Sequence, residues 1–239
     1  MKQWIIRLFK LFFIVLIGAV IIVVRPWESL PPEWNPWEPL ALQHSMTPVT
    51  RMKLSKLADA PNACLAVLAT APEKSVDYLA LEDYTPVENC PLTNVVRVQS
   101  TGVKFNSPFT LTCPLLVRWL MFEQQTLQPL ALQHLGSRVE SVDHYGTFAC
   151  RNVYNREQGR RSQHATASAF DVATFRFENG AVANVLSDWN NDKMADSSAF
   201  LRDVHSSACE YFGTVLGPDY NAPHANHFHL DTSGFNLCR

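Results

Sequence analysis

Half of the eight histidines fall in two short segments. One runs Ser162-Gln163-His164-Ala165-Thr166-Ala167-Ser168-Ala169-Phe170-Asp171, the other His224-Ala225-Asn226-His227-Phe228-His229. Side chains on a strand repeat every two residues, so His227 and His229 point to one face and can address one point. Asp171 opens a strand-like stretch able to lie beside them, and His164, seven positions earlier, approaches from the preceding loop. Two imidazoles and one carboxylate around an open fourth position make the ligand set of a catalytic zinc, which lowers the pKa of bound water to ~7. The extra histidines then have roles open to them: one can take a proton from that water, and another can stabilise a tetrahedral oxyanion. Adventitious metal binding at a histidine-rich surface is the competing explanation. His44, His134, His144 and His205 stand singly and read as polar surface.

Elements must bring these segments together. Thr112 can cap a helix with Pro114 in its first turn, and Leu116, Trp119, Leu120 and Glu123 then fall at helical spacing. A second short helix is predicted after Pro129, stopped by Gly136. Val139 to Asp143 and Phe148 to Arg151 flank Tyr145-Gly146 and predict a hairpin. Phe170 to Phe177 and Val182 to Leu186 predict another around Asn179-Gly180. Phe200, Leu201, Val204, Ala208 and Tyr211 mark one face of a helix over 197–212 that Gly213 terminates, and 227–231 has the tempo of a strand. Strands and helices do not alternate in βαβ fashion, so the expectation is a single α+β domain, a central antiparallel sheet with flanking helices.

Composition bounds the rest. The 239 residues are 47% hydrophobic and 18% charged, ample for a buried core and a poor match to disorder. Lys2, Arg7, Lys10 and Arg25 are the basic residues of the first 25, which hold no acid; 16 basic and 22 acidic residues follow, a balance of −6. With no basic cluster beyond Arg25, nucleic-acid binding is excluded. The unbroken apolar run Leu11 to Val24 has 14 residues and reaches 17 if Leu8, Phe9 and a snorkelling Lys10 are added. A cleaved signal peptide competes, but no small-x-small site precedes Arg25, so residues 1–25 are expected to be an uncleaved transmembrane signal anchor. The positive flank then stays in the cytoplasm, giving a single-pass inner-membrane protein with its C-terminal domain in the periplasm. Residues 26–49, rich in Pro and Trp, are predicted to form a semi-rigid stalk, and 50–239 the globular domain.

Cys64, Cys90, Cys113, Cys150, Cys209 and Cys238 all lie in that domain and form no CxxC pair, so they read as a disulfide framework. Six cysteines allow 15 connectivities. Proximity along the chain favours Cys64 with Cys90, Cys113 with Cys150, and Cys209 with Cys238.

Ser162-x-His164, Asp171 and the terminal His-x-His resemble the zinc peptidases grouped with lysostaphin, D-Ala-D-Ala metallopeptidases and the hedgehog fold. More closely, Tyr145 to Arg151, Ser162 to Val172, Asp188-Trp189, the 216–221 stretch and His224 to Asp231 resemble the bacterial extensin-like C-terminal family, over about 60 to 239. This resemblance implies His164, Asp171 and His229 as zinc ligands, His227 as general base, and His224 as an additional active-site histidine. It implies Arg151 as an arginine aimed at a substrate carboxylate. Many relatives have Gly at the position of Ala167, where the backbone needs an unusual conformation or close packing, and no Glu stands two residues before His229. The function so implied is zinc-dependent hydrolysis of peptidoglycan peptides, cross-links or stems, with a non-catalytic envelope protein that binds wall peptides or a protein partner as the alternative.

Overall fold

The computed structural model describes residues 2–239. Among these residues the helices are α1 (Lys2–Val24), α2 (Pro48–Lys56), α3 (Pro61–Leu68), α4 (Cys113–Phe122), α5 (Gln128–Leu135), α6 (Val185–Asp188) and α7 (Ala195–Ala208). The strands are β1 (Asp77–Ala80), β2 (Tyr84–Val87), β3 (Cys90–Leu92), β4 (Val95–Ser100), β5 (Lys104–Thr112), β6 (Val139–Gly146), β7 (Ala169–Phe177), β8 (Val182–Asn184), β9 (Thr214–Leu216), β10 (Phe228–Asp231) and β11 (Leu237–Cys238). One sheet runs β1-β4-β5-β6-β7-β10-β9-β11 with β8 also on β7, and β2 pairs β3 apart from it. The α+β class holds, but the sheet is mixed instead of antiparallel, because β5/β6 and β9/β11 pair in parallel.

β7 lies at the centre and is buried along nearly its whole length, as a strand covered on both faces must be. α4 is buried at nine of its ten positions and runs through the core. Pro114 sits in its first turn, where a missing N–H has no partner to lose. A π-helical turn at Glu123–Leu127 carries the chain on into α5, which ends at Gly136 with φ +62. Phe109 stacks on Phe170 at 4.9 Å and Trp119 meets Phe170 edge-on at 5.2 Å, which locks β5, α4 and β7 together.

Several expectations are corrected. Among the described residues no helix is long and apolar enough to cross a membrane. The 14-residue apolar run of α1 rises only about 21 Å against the roughly 30 Å of a hydrocarbon layer, and Arg7 and Lys10 break the apolar sequence before it. The transmembrane anchor, the single-pass inner-membrane placement and the periplasmic assignment built on it are therefore overturned. The predicted stalk is partly folded onto the domain: Leu40 and Leu42 are buried in the main core, and Leu42 N–H donates to Thr70 Oγ1 at 3.1 Å. Two of the three predicted disulfides are also wrong. Cys64 bonds Cys113 and Cys90 bonds Cys150, while Cys209–Cys238 is as expected.

The hairpin around Asn179-Gly180 forms, with Gly180 at φ +84. The one around Tyr145-Gly146 does not: β6 pairs with β5 and β7, and residues 147–151 run off the sheet, tied by Cys90–Cys150. α7 stops at Ala208, before Gly213. Gly213 is required instead by close approach, since a Cβ there would lie 1.5 Å from the Ser233 carbonyl oxygen.

Candidate metal centre

Antiparallel pairing of β7 and β10 puts His229 directly opposite Asp171. Opposed residues share a face of the sheet, so this register alone brings an imidazole to a carboxylate. His229 Nδ1 lies 3.0 Å from Asp171 Oδ1. His164 enters from a short 3₁₀ turn, Gln163–Thr166, capped by Ser162 Oγ accepting from the His164 N–H. Its Nε2 lies 3.2 Å from Asp171 Oδ1 and 3.1 Å from His229 Nδ1. One atom from each of His164, Asp171 and His229 thus falls within 4.8 Å of the others. The turn ends at Ala167, buried and left-handed at φ +52, a conformation that glycine adopts without the Cβ penalty.

Each ring is oriented by its far edge. His164 Nδ1–H donates to the Thr147 carbonyl at 3.1 Å, which turns the Nε2 edge toward Asp171. His229 Nε2 donates to Asp231 Oδ2 at 3.3 Å, and Asp231 Oδ1 accepts from the Ser233 N–H at 2.8 Å and its hydroxyl at 2.6 Å. A carboxylate behind a ligand histidine is the usual backing of a metal-binding imidazole. The donor set, two ring nitrogens and one carboxylate oxygen with both rings held from behind, fits zinc.

His227 precedes β10 and reaches the same point, Nε2 lying 3.6 Å from Asp171 Oδ1. Its Nδ1–H donates to Asn226 Oδ1 at 2.8 Å, and the Asn226 amide is fixed by its own donation to Tyr145 Oη at 3.4 Å. His227 Nε2 is then the acceptor edge. His224 repeats the device: Nδ1–H donates to Asn221 Oδ1 at 2.6 Å, and Asn221 Nδ2 donates to Tyr154 Oη at 3.3 Å. The His224 and His227 rings are 5.3 Å apart.

Electrostatics follow from burial and these bonds. Burial opposes charge on Asp171, but hydrogen bonds with His164 and His229 win and hold its carboxyl well below the usual carboxylate range. Burial would likewise lower His229, yet hydrogen bonds with Asp171 and Asp231 push it up to about 9. Burial lowers both His227 and His224, the latter to about 4 with His229 adding to the effect. Burial thus favours the neutral form of the outer histidines, whereas the flanking carboxylates favour charge on His229.

Of the residues singled out in the sequence, His164, Asp171, His224, His227, His229 and Arg151 all line one cleft of about 780 Å³. His44, His134, His144 and His205 lie elsewhere and are less bland than expected. His134 pairs with Asp203 at 2.8 Å, and His144 is buried against Phe109 and Phe170. Asp231, Thr147, Asn221 and Asn226 were missed. Asp231 had a signal, since it continues the alternation His227-x-His229-x-Asp231 onto the same face; the Thr147 carbonyl had none.

A mixed sheet whose neighbouring strands β7 and β10 carry Asp171 and His229, met by His164 from the preceding turn, defines an α+β domain with a candidate metal centre. Residues 62–239 match the profile described as Extensin-like protein C-terminus. This chain belongs to that family. No curated protein and no solved structure matches it.

Proposed function

We propose that this protein is a zinc-dependent amide hydrolase acting on the peptides of peptidoglycan, with His164, Asp171 and His229 holding the metal. The observation that carries the reading is the convergence of those three side chains within 4.8 Å beside His227, whose Nε2 carries no proton when Nδ1–H is given to Asn226. Zinc supplies a Lewis acid and makes water acidic enough to react near neutral pH. His227 Nε2 accepts the proton that the attacking water loses, and passes it to the leaving amine. His224 in its neutral form offers a lone pair at Nε2, because Nδ1–H is committed to Asn221. It therefore holds an oxyanion only as an imidazolium, and is otherwise a second proton acceptor beside His227. The resemblance to lysostaphin-type zinc peptidases rests on these same residues and supports the choice of wall peptides as substrate.

The rival reading is a peptide-binding protein without turnover. The aligned acceptor edge of His227 favours catalysis, since binding alone has no need of it. Metal analysis of the purified chain tests the ligand set. About one zinc per chain is expected, falling to background in His164→Ala and His229→Ala; retention of zinc by both variants would overturn it.

A further inference from the structure

The cleft continues outward from the histidines along the loop 152–161. Asn152 and Arg161 pair as an isolated antiparallel bridge, Ser162 N–H donates to the Arg151 carbonyl at 3.1 Å, and Val153 N–H donates to that of Arg160 at 3.0 Å. Opposed residues share a face and neighbours alternate, so Arg151, Val153, Arg160 and Ser162 share one side while Asn152 and Arg161 take the other. The cleft lining bears this out: it contains those four and neither of the other two. Adjacent arginines are thus sorted by the pleat, Arg160 inward and Arg161 outward.

The rim is built for that arrangement. Tyr154 and Asn155 are left-handed at φ +56 and +57, a conformation that costs a bulky residue on the order of 1–3 kcal/mol and persists only where surroundings enforce it. Here the Tyr154 hydroxyl meets that of Tyr220 at 3.2 Å and accepts from Asn221. Across the cleft, the Arg160 guanidinium lies 4.6 Å from the ring centroid of Phe235. Among the described residues no carboxylate lies within 4.0 Å of Arg151 or Arg160. The acids that line the cleft, Asp171 and Asp231, are both engaged by His229. Two guanidinium groups therefore face the cleft without a counter-charge, between aromatic walls.

We infer that the cleft is a carboxylate-selecting peptide site, in which Arg160 joins Arg151 in binding a free carboxylate of the substrate while the chain runs between Tyr154 and Phe235 toward the histidines. A planar guanidinium fork matches a carboxylate in two parallel hydrogen bonds and gains nothing comparable from a carboxamide. This deepens the proposed function and rests on it for the choice of peptide.

Calorimetric titration of the full chain tests it, with a synthetic wall stem peptide having all carboxylates free and the same peptide fully amidated. The acid form is expected to bind at least about tenfold more tightly. Arg160→Ala should lose most of that preference, Arg160→Lys should keep part of it, and Arg161→Ala should keep all of it. Equal binding of the two forms, binding of neither, or a preference untouched by Arg160→Ala overturns the inference. Peptide masses read from the same mixtures report hydrolysis separately: selective binding without cleavage counts against the hydrolase alone, and cleavage without selectivity counts against the arginine site alone.

Discussion

His229 has two edges, and each is used. Nδ1 faces Asp171 and His164, and Nε2 is held by Asp231. Asp231→Asn removes the charge behind the ring while keeping its shape, so zinc affinity should fall about 10–100-fold with the fold intact, as competition against a chromogenic chelator would measure. Ala167 tests the strained turn that delivers His164. Replacing it with Gly relieves left-handed strain of about 1 kcal/mol but forfeits a buried methyl of about 0.8 kcal/mol, so Ala167→Gly should be close to neutral in urea unfolding. Ala167→Val, β-branched at positive φ in a fully buried position, should destabilise by about 2 kcal/mol or more. At this scale the sequence was readable where chemistry and period coincide, at His164, Asp171, His227 and His229. It was silent on Thr147, whose carbonyl orients His164 and whose side-chain type carries no information about that role.

Elements were legible when their partners were local. The Asn179-Gly180 turn forms as predicted and pairs its two flanking strands locally, although β8 stops at Asn184, where α6 takes over. β6 failed that test, because its partners are β5 in parallel and β7 across 22 intervening residues, which no local turn signal announces. Gly213 misled for a related reason: glycine near a helix end suggests a stop, but here Ser233, remote in sequence, needs the space. Gly213→Ala must displace the turn after β10, which also holds Ser233 against Asp231. A loss of about 3 kcal/mol in urea unfolding is expected, the upper range for overpacking. A variant as stable as wild type would mean the turn yields freely.

The whole molecule is stapled as well as packed. The disulfides span 49, 60 and 29 residues. Chain proximity chose two of them wrongly because loop closure grows only as the logarithm of length, about 0.6 kcal/mol per doubling, so short loops are barely favoured over a well-packed longer one. Packing also hides Glu123, 2% exposed beneath Trp119 and Thr101. Burial pushes its carboxyl from 4.5 up to about 7, against hydrogen bonds from Thr101 and Trp119. Between those values the folded chain binds a proton that the unfolded chain has released, so stability is greatest below pH 4.5 from this group and is lost as pH rises to 7, by at most about 3 kcal/mol. Glu123→Gln should flatten the change in urea midpoint between pH 5 and pH 8; an unchanged pH dependence would remove Glu123 as its source.

Class of fold and family were within reach of the sequence, whereas the membrane span was not, because apolar length by itself overstated what α1 provides. The proposed function turns on activity. Purified sacculi incubated with zinc-loaded wild type and with His227→Ala, and read as muropeptide masses, test it most directly. Cleaved peptides of defined mass are expected from wild type and none above background from the variant, although the variant retains its zinc. Intact muropeptides from both, or equal cleavage by both, would contradict it.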